Sequence, residues 1–153
     1  MYPFNLQLDG VDVLFVGAGA VATRRIGELL SRSRPNITVV APIVSAEIEE
    51  LARTYSSVRL VKRPFELADL EDNYRIAIAC TSDKVLNADV GRRARERGTW
   101  VNVASDRALS TLHFPAVADV DGVLVAVSTG AVSPKLAKAV KDAISEETKK
   151  NKK

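Results

Sequence analysis

Apolar and polar positions along the chain fall into alternating stretches of two kinds. Val13 to Val16 is an unbroken apolar run, as expected of a strand buried on both faces, and it breaks at Gly17, Ala18 and Gly19 into a helical pattern. From Ala20 to Ser31 the apolar positions Val21, Ile26, Leu29 and Leu30 predict a helix packed on a sheet, with Arg24, Arg25 and Glu28 outward and Pro35 marking its end. Ile37 to Ala41 reads as a second strand. Ser45 then caps a helix that turns Ile48, Leu51 and Ala52 inward and carries Glu47 in its first turn, where the helix dipole favours an acid. Val58 to Val61 is a third strand, and Pro64, Phe65, Leu67 and Leu70 form a crossing connection. Arg75 to Cys80 is a fourth strand, Val85 to Arg97 a helix with Leu86, Val90 and Ala94 on one face and Asn87 beside them, and Trp100 to Val103 a fifth strand. This alternation predicts an α/β fold, a doubly wound parallel sheet of order 3-2-1-4-5.

Both ends of the chain depart from that rhythm. Phe4, Leu6 and Leu8 alternate with Asn5, Gln7 and Asp9, which predicts a short, half-buried edge strand. Phe114 to Ala118 and Val123 to Val127 predict a hairpin turning at Asp119 to Gly122. Ser133 and Pro134 then open a helix whose apolar face is Leu136, Ala139, Val140 and Ile144. The expected organisation is a nucleotide-binding domain over 1–112, a small hairpin-plus-helix segment over 113–147 and a disordered lysine-rich tail over 148–153.

The turn after the first strand carries the candidate chemistry. Gly17, Gly19 and Ala22 match the Gly-x-Gly-x-x-Gly/Ala fingerprint of the Rossmann-like fold. There the first glycine makes the turn, the second lets a pyrophosphate approach the backbone, and the third small residue packs helix on strand. A helix N-terminus at this point favours an anion. The plainer alternative is an ordinary tight strand-to-helix turn, and the second strand at the expected distance favours the nucleotide. The acid that usually takes the ribose hydroxyls is missing; Ala41, Pro42 and Ile43 stand in its place with no arginine, which points to NAD rather than NADP. The polar run Thr81, Ser82 and Asp83 falls where a doubly wound sheet binds its ligand, and Ser82 or Asp83 also suits a helix cap.

Charge and inventory narrow the classes. Lys149, Lys150, Lys152 and Lys153 carry four positive charges of a formal +3, so the rest of the chain is at −1 and no nucleic-acid face is implied. Cys80 is the only cysteine and sits among apolar neighbours; no internal disulfide is possible, and a core thiol in a reducing cytoplasm is expected. With His113 the only histidine, no metal site is expected. The apolar run Val13 to Ala22 is half of the roughly 20 residues a membrane span needs. No secretory signal is expected ahead of it.

The set YPFNLQLDG, VGAGAVATRR, TVVAP, IAIACTSD, the Asn87 helix, VNVASD, FPA and VAVSTGAVSPKLAK, in this order from residue 2 to about 145, resembles the precorrin-2 dehydrogenases, the NAD-dependent domain of siroheme synthases. The resemblance implies oxidation of precorrin-2 to sirohydrochlorin, with a hydride passing to NAD and a proton lost from the macrocycle. It further implies pyrophosphate contacts at Gly17, Gly19, Ala20 and Val21, ribose-side contacts at Pro42 and Ile43, and a fourth-strand contact at Thr81. A homodimer is implied through the 114–143 region, which makes that segment the candidate interface. The family's catalytic aspartate falls on Ser105, with the carboxylate one residue later at Asp106. Either Asp106 reaches the substrate or Ser105 replaces the acid and solvent takes the proton; Asp106 as a turn residue bonding its own backbone, or His113 as the base, are the alternatives. Arg107, Lys135 and the helix start at Ser133 suit the substrate's carboxylates. The helical C-terminal part common in the family is not expected here. Two further functions remain open: an additional sirohydrochlorin ferrochelatase activity, and a non-catalytic NAD-sensing regulatory module.

Overall fold

The structure, a computed structural model, describes residues 2–71, 73–130 and 132–150, with residues 149 and 150 described by their backbone alone. Its elements in chain order are β1 (Asp12–Val16), α1 (Ala20–Leu30), β2 (Asn36–Val40), α2 (Ala46–Thr54), β3 (Val58–Val61), a 3₁₀ turn (Leu67–Leu70), β4 (Ile76–Ala79), α3 (Lys84–Glu96), β5 (Trp100–Val103), β6 (Ala116–Val120), β7 (Val123–Val127) and α4 (Pro134–Lys150). They divide into two compact units, Pro3–Leu112 and the segment from His113 onward.

In the first unit the five strands form a parallel sheet in the order β3-β2-β1-β4-β5, as the strand–helix alternation predicts. β1 is central: Phe15 lies opposite Val39 of β2 and Ile78 of β4. Side chains alternate between faces, so Leu14, Val16, Val40, Ala77, Ala79, Val101 and Val103 form one core with Val90 and Ala94 of α3 and with Leu70 and Tyr74. The other face buries Val13, Phe15, Ile37, Val39 and Ile78, together with Ala22, Ile26 and Leu30 of α1 and Ile48 of α2. Each large apolar side chain removed from water in this way stabilises the fold by about 1.5–3 kcal/mol. α3 lies so close to β5 that a Cβ built on Gly91 would come within 2.6 Å of Val103 Cγ2.

The edge strand expected over residues 4–8 does not form. Phe4 is 77% exposed, and the chain reaches β1 through a turn at Gly10 (φ 72°), where Val11 N–H bonds Leu8 O. A period of two makes a strand only where a free strand edge offers partners. The edges of this sheet are β3 and β5, and neither pairs with this segment among the described residues.

In the second unit β6 and β7 form an antiparallel pair through Asp121 (φ 56°) and Gly122 (φ 79°), the two left-handed residues of a tight hairpin. β6 begins two residues later than expected, because Pro115 has no N–H to give to a ladder. Ser133 Oγ accepts from Leu136 N–H at 3.3 Å with Pro134 at the first helical position, so α4 starts where predicted. Among its described side chains Ala137 is the buried one, at 5% exposure, while Leu136, Val140 and Ile144 remain 54%, 40% and 39% exposed. α4 continues through Lys150, into the stretch expected to be disordered; residues 151–153 lie outside the described ones.

Arg63 grips Asp69 with two nitrogens, at 2.5 and 2.9 Å, and Asp69 also accepts the Glu66 N–H that opens the 3₁₀ turn. Chiefly through the Arg63 bond, the Asp69 carboxyl is held below its ordinary 3.8. A lowered carboxyl stabilises the fold above its unfolded pKa and loses that contribution as pH falls through the folded value. Asp69→Asn should therefore lower the midpoint of urea unfolding at pH 7 and lose most of that effect near pH 3. Gly91→Ala should cost about 1–3 kcal/mol in the same measurement, since the added methyl must displace Val103.

Candidate dinucleotide-binding site

Three strand ends meet at Gly17. Its N–H bonds Val40 O of β2 at 3.0 Å, and Cys80 N–H bonds Val16 O at 2.9 Å. Its φ is 105°, and a Cβ there would stand 2.9 Å from the Cys80 carbonyl and the Thr81 nitrogen, so only glycine fits. Two residues on, the situation reverses: a Cβ on Gly19 would meet nothing within 4 Å, and the backbone of this crest is bare.

Gly19 is also the N-cap of α1, in extended conformation, with no side chain bonding the first turn and no acid within it. The other three helices are capped by side chains. Ser45 accepts from Ile48 N–H, Asp83 from Val85 and Leu86 N–H, and Ser133 from Leu136 N–H. Among the described residues, α1 alone leaves its N-terminal amides to something outside the chain, in a position where its dipole attracts negative charge. A bare backbone and an uncapped helix together fit a pyrophosphate.

The loop after β2 is drawn alongside this crest. Ser45 N–H bonds Ala18 O, and the Thr23 and Ser45 hydroxyls lie 3.1 Å apart. The loop carries Pro42 and Ile43, and Ile43 is 84% exposed; Ala20 and Val21 are exposed on the helix beside it. The structure thus brings Gly17, Gly19, Ala20, Val21, Pro42 and Ile43 into one neighbourhood, rimmed by apolar rather than acidic side chains.

Thr81 leaves β4 next to Gly17, and its polar atoms are used internally. The Thr81 N–H and Oγ–H both point at Asn87 Oδ1, at 3.0 and 2.8 Å, and Asn87 Nδ2 donates to Thr81 O at 2.9 Å. Any contact Thr81 makes with a ligand is therefore through its shape. Ser105 is exposed beyond β5, and its Oγ accepts from the same Asn87 Nδ2 at 3.4 Å. Asp106 makes the turn the sequence allowed for: Oδ1 accepts from Ala108 N–H at 2.8 Å and from Leu109 N–H at 3.4 Å. His113 and Lys135 belong to the second unit.

Arg25, expected outward, turns in. Its Nη1 donates to Asn102 Oδ1 on β5, while Asn102 Nδ2 donates to Leu112 O at 2.8 Å. Burial, and next the charge of Arg24, pull the Arg25 guanidinium below its ordinary value. The signal for this pair was a polar Asn102 inside an otherwise apolar strand, which required a partner. Burial raises the Cys80 thiol to about 11, so it is a core side chain at neutral pH. Among the described residues no cluster of His, Cys, Asp and Glu could hold a metal, and no helix is long and apolar enough to cross a membrane.

A parallel 3-2-1-4-5 sheet with a glycine-bared, uncapped first helix defines a dinucleotide-binding domain of the Rossmann type. A family model described as "Putative NAD(P)-binding" matches residues 4–116. Siroheme synthases of Methylococcus capsulatus and Pseudomonas entomophila are 42% and 39% identical over 142 and 139 residues, which is 93% and 91% of this chain and 29% of each relative. The solved structure of SirC, a precorrin-2 dehydrogenase, superposes with a TM-score of 0.81 at 34% identity, over 96% of this chain and 71% of that one. The chain belongs to the precorrin-2 dehydrogenase family and carries its NAD(P)-binding domain. It spans less than a third of the length of the siroheme synthases it matches.

The two crest glycines should separate in their response to a methyl group. Gly17→Ala should lose more than about 2 kcal/mol of stability, since it adds a collision to a backbone that only glycine adopts. Gly19→Ala should stay within about 1 kcal/mol of the parent and weaken NAD at least about tenfold by calorimetry.

Proposed function

We propose that this chain oxidises precorrin-2 to sirohydrochlorin with NAD as the acceptor. The observation that carries the reading is the bare, uncapped crest at Gly19, in a chain 34% identical to a precorrin-2 dehydrogenase over 96% of its residues. When bound, the nicotinamide supplies the hydride-accepting chemistry: two electrons and one hydrogen leave the macrocycle as hydride, and a proton follows. The protein's part is to bind, to orient and to move that proton.

In this reading Gly17, Gly19, Ala20 and Val21 hold the pyrophosphate through backbone amides and the α1 dipole. Pro42 and Ile43 give the adenosine end an apolar seat, and the missing acid leaves no carboxylate to engage the ribose. Thr81 bounds the nicotinamide end by contact. Asp106 is the proton acceptor. Its Oδ1 is fixed by two backbone N–H groups, which holds the carboxyl group in one orientation, and its other oxygen takes the proton. Ser105, beside it, donates a hydrogen bond to the substrate.

The half-exposed Leu136, Val140 and Ile144 of α4, with Leu124 of β7 at 51% exposure, suit pairing of the second unit with that of another copy, so the working form is a homodimer. A lone buried thiol fits the cytoplasm.

Incubation with precorrin-2 and NAD should yield NADH and sirohydrochlorin in equal amounts. Absence of both products from folded protein that binds NAD would remove the reading. Asp106→Asn should keep NAD affinity and slow turnover about a hundredfold or more; an unchanged rate would return Asp106 to its turn alone.

A further inference from the structure

Asn87 is the most deeply buried polar side chain among the described residues, at 0% exposure, on the inner face of α3. Burying an amide costs free energy unless every group on it is bonded, and this one is bonded to two different loops. Its orientation is unambiguous. The backbone N–H of Thr81 can only donate, so Oδ1 faces it at 3.0 Å; the backbone carbonyl of Thr81 can only accept, so Nδ2 faces that at 2.9 Å. The same Nδ2 reaches Ser105 Oγ at 3.4 Å. One side chain from a helix therefore holds the loop after β4, next to Gly17, and the loop after β5, which carries Ser105 and Asp106.

A chemical consequence follows for Ser105. Its oxygen accepts a hydrogen bond from Asn87, which leaves its own hydroxyl proton available to donate. A serine held in this way is a weak base and a good hydrogen-bond donor.

We propose that Asn87 is a positioning residue that ties the dinucleotide loop to the substrate loop, so that cofactor binding at the first orders Ser105 at the second. The proposal deepens the dehydrogenase reading and rests on it for its catalytic meaning. The tie itself consists of bonds within the chain.

Hydrogen exchange read by mass spectrometry on the full chain, alone and with NAD, tests it in the parent, Asn87→Asp and Ser105→Ala. Aspartate keeps the size and the acceptor oxygen but cannot donate to Thr81 O or Ser105; alanine at the exposed Ser105 cuts only the far end of the tie and leaves the core alone. In the parent, NAD should slow exchange over 17–22, 81–83 and 104–106. In Ser105→Ala the protection at 17–22 and 81–83 should persist and that at 104–106 disappear. In Asn87→Asp protection should be lost from both 81–83 and 104–106, with NAD about tenfold weaker. In turnover, Asn87→Asp should raise KM for NAD and lower kcat, whereas Ser105→Ala should lower kcat alone. Protection at 104–106 that survives Ser105→Ala overturns the proposal. So does an Asn87→Asp that loses thermal stability while keeping parental KM and kcat. Should NAD protect nothing in the parent, not even 17–22, the dinucleotide reading fails. The tie is then decided without NAD: Asn87→Asp must speed exchange over both 81–83 and 104–106 and Ser105→Ala over 104–106, and an Asn87→Asp effect confined to 81–83 overturns it.

Discussion

The architecture depends on the close meeting of three strand ends at Gly17. The carbonyl of Cys80 and the nitrogen of Thr81 stand where a side chain would begin, so the chain must turn there with a positive φ and no Cβ. That turn aims α1 back across the sheet, sets its first amides at the carboxyl ends of β1 and β4, and brings the loop after β2 alongside through the Ser45–Ala18 bond. The site is less a pocket carved into the fold than the place where the parallel strands run out together.

Much of this was legible in the residues. Uninterrupted apolar runs such as Val13–Val16 and Ile76–Ala79 mark strands covered on both faces, and short polar links between strands and helices leave few topologies open. Helix starts at Ser45, Asp83 and Ser133 were readable because each oxygen meets a local amide. The crest was readable for the opposite reason: glycines stand where such a cap would normally be.

What escaped is what depends on distant partners. The alternation at Phe4, Leu6 and Leu8 is locally identical to a strand, but neither edge of the sheet pairs with it among the described residues. Arg25 lies on the flank of the α1 stripe, a position that permits either direction, and Asn102, 77 residues away, decides it. Asn87 was visible beside a helix's apolar side but its partners were not, because its bonds run to loops whose placement depends on the ends of β4 and β5. The exposed apolar residues of α4 were visible as a stripe, but its width exceeds what a two-stranded sheet covers.

A helix that lacks a cap of its own has a thermodynamic signature. Whatever anion sits on the first turn of α1 completes that element as a serine completes α2, so occupancy and folding share one free-energy term. A tightly held dinucleotide present at a hundred times its dissociation constant adds about 2.7 kcal/mol to the folded state. Starving the protein of its coenzyme would loosen the central βαβ turn before it touched the outer strands.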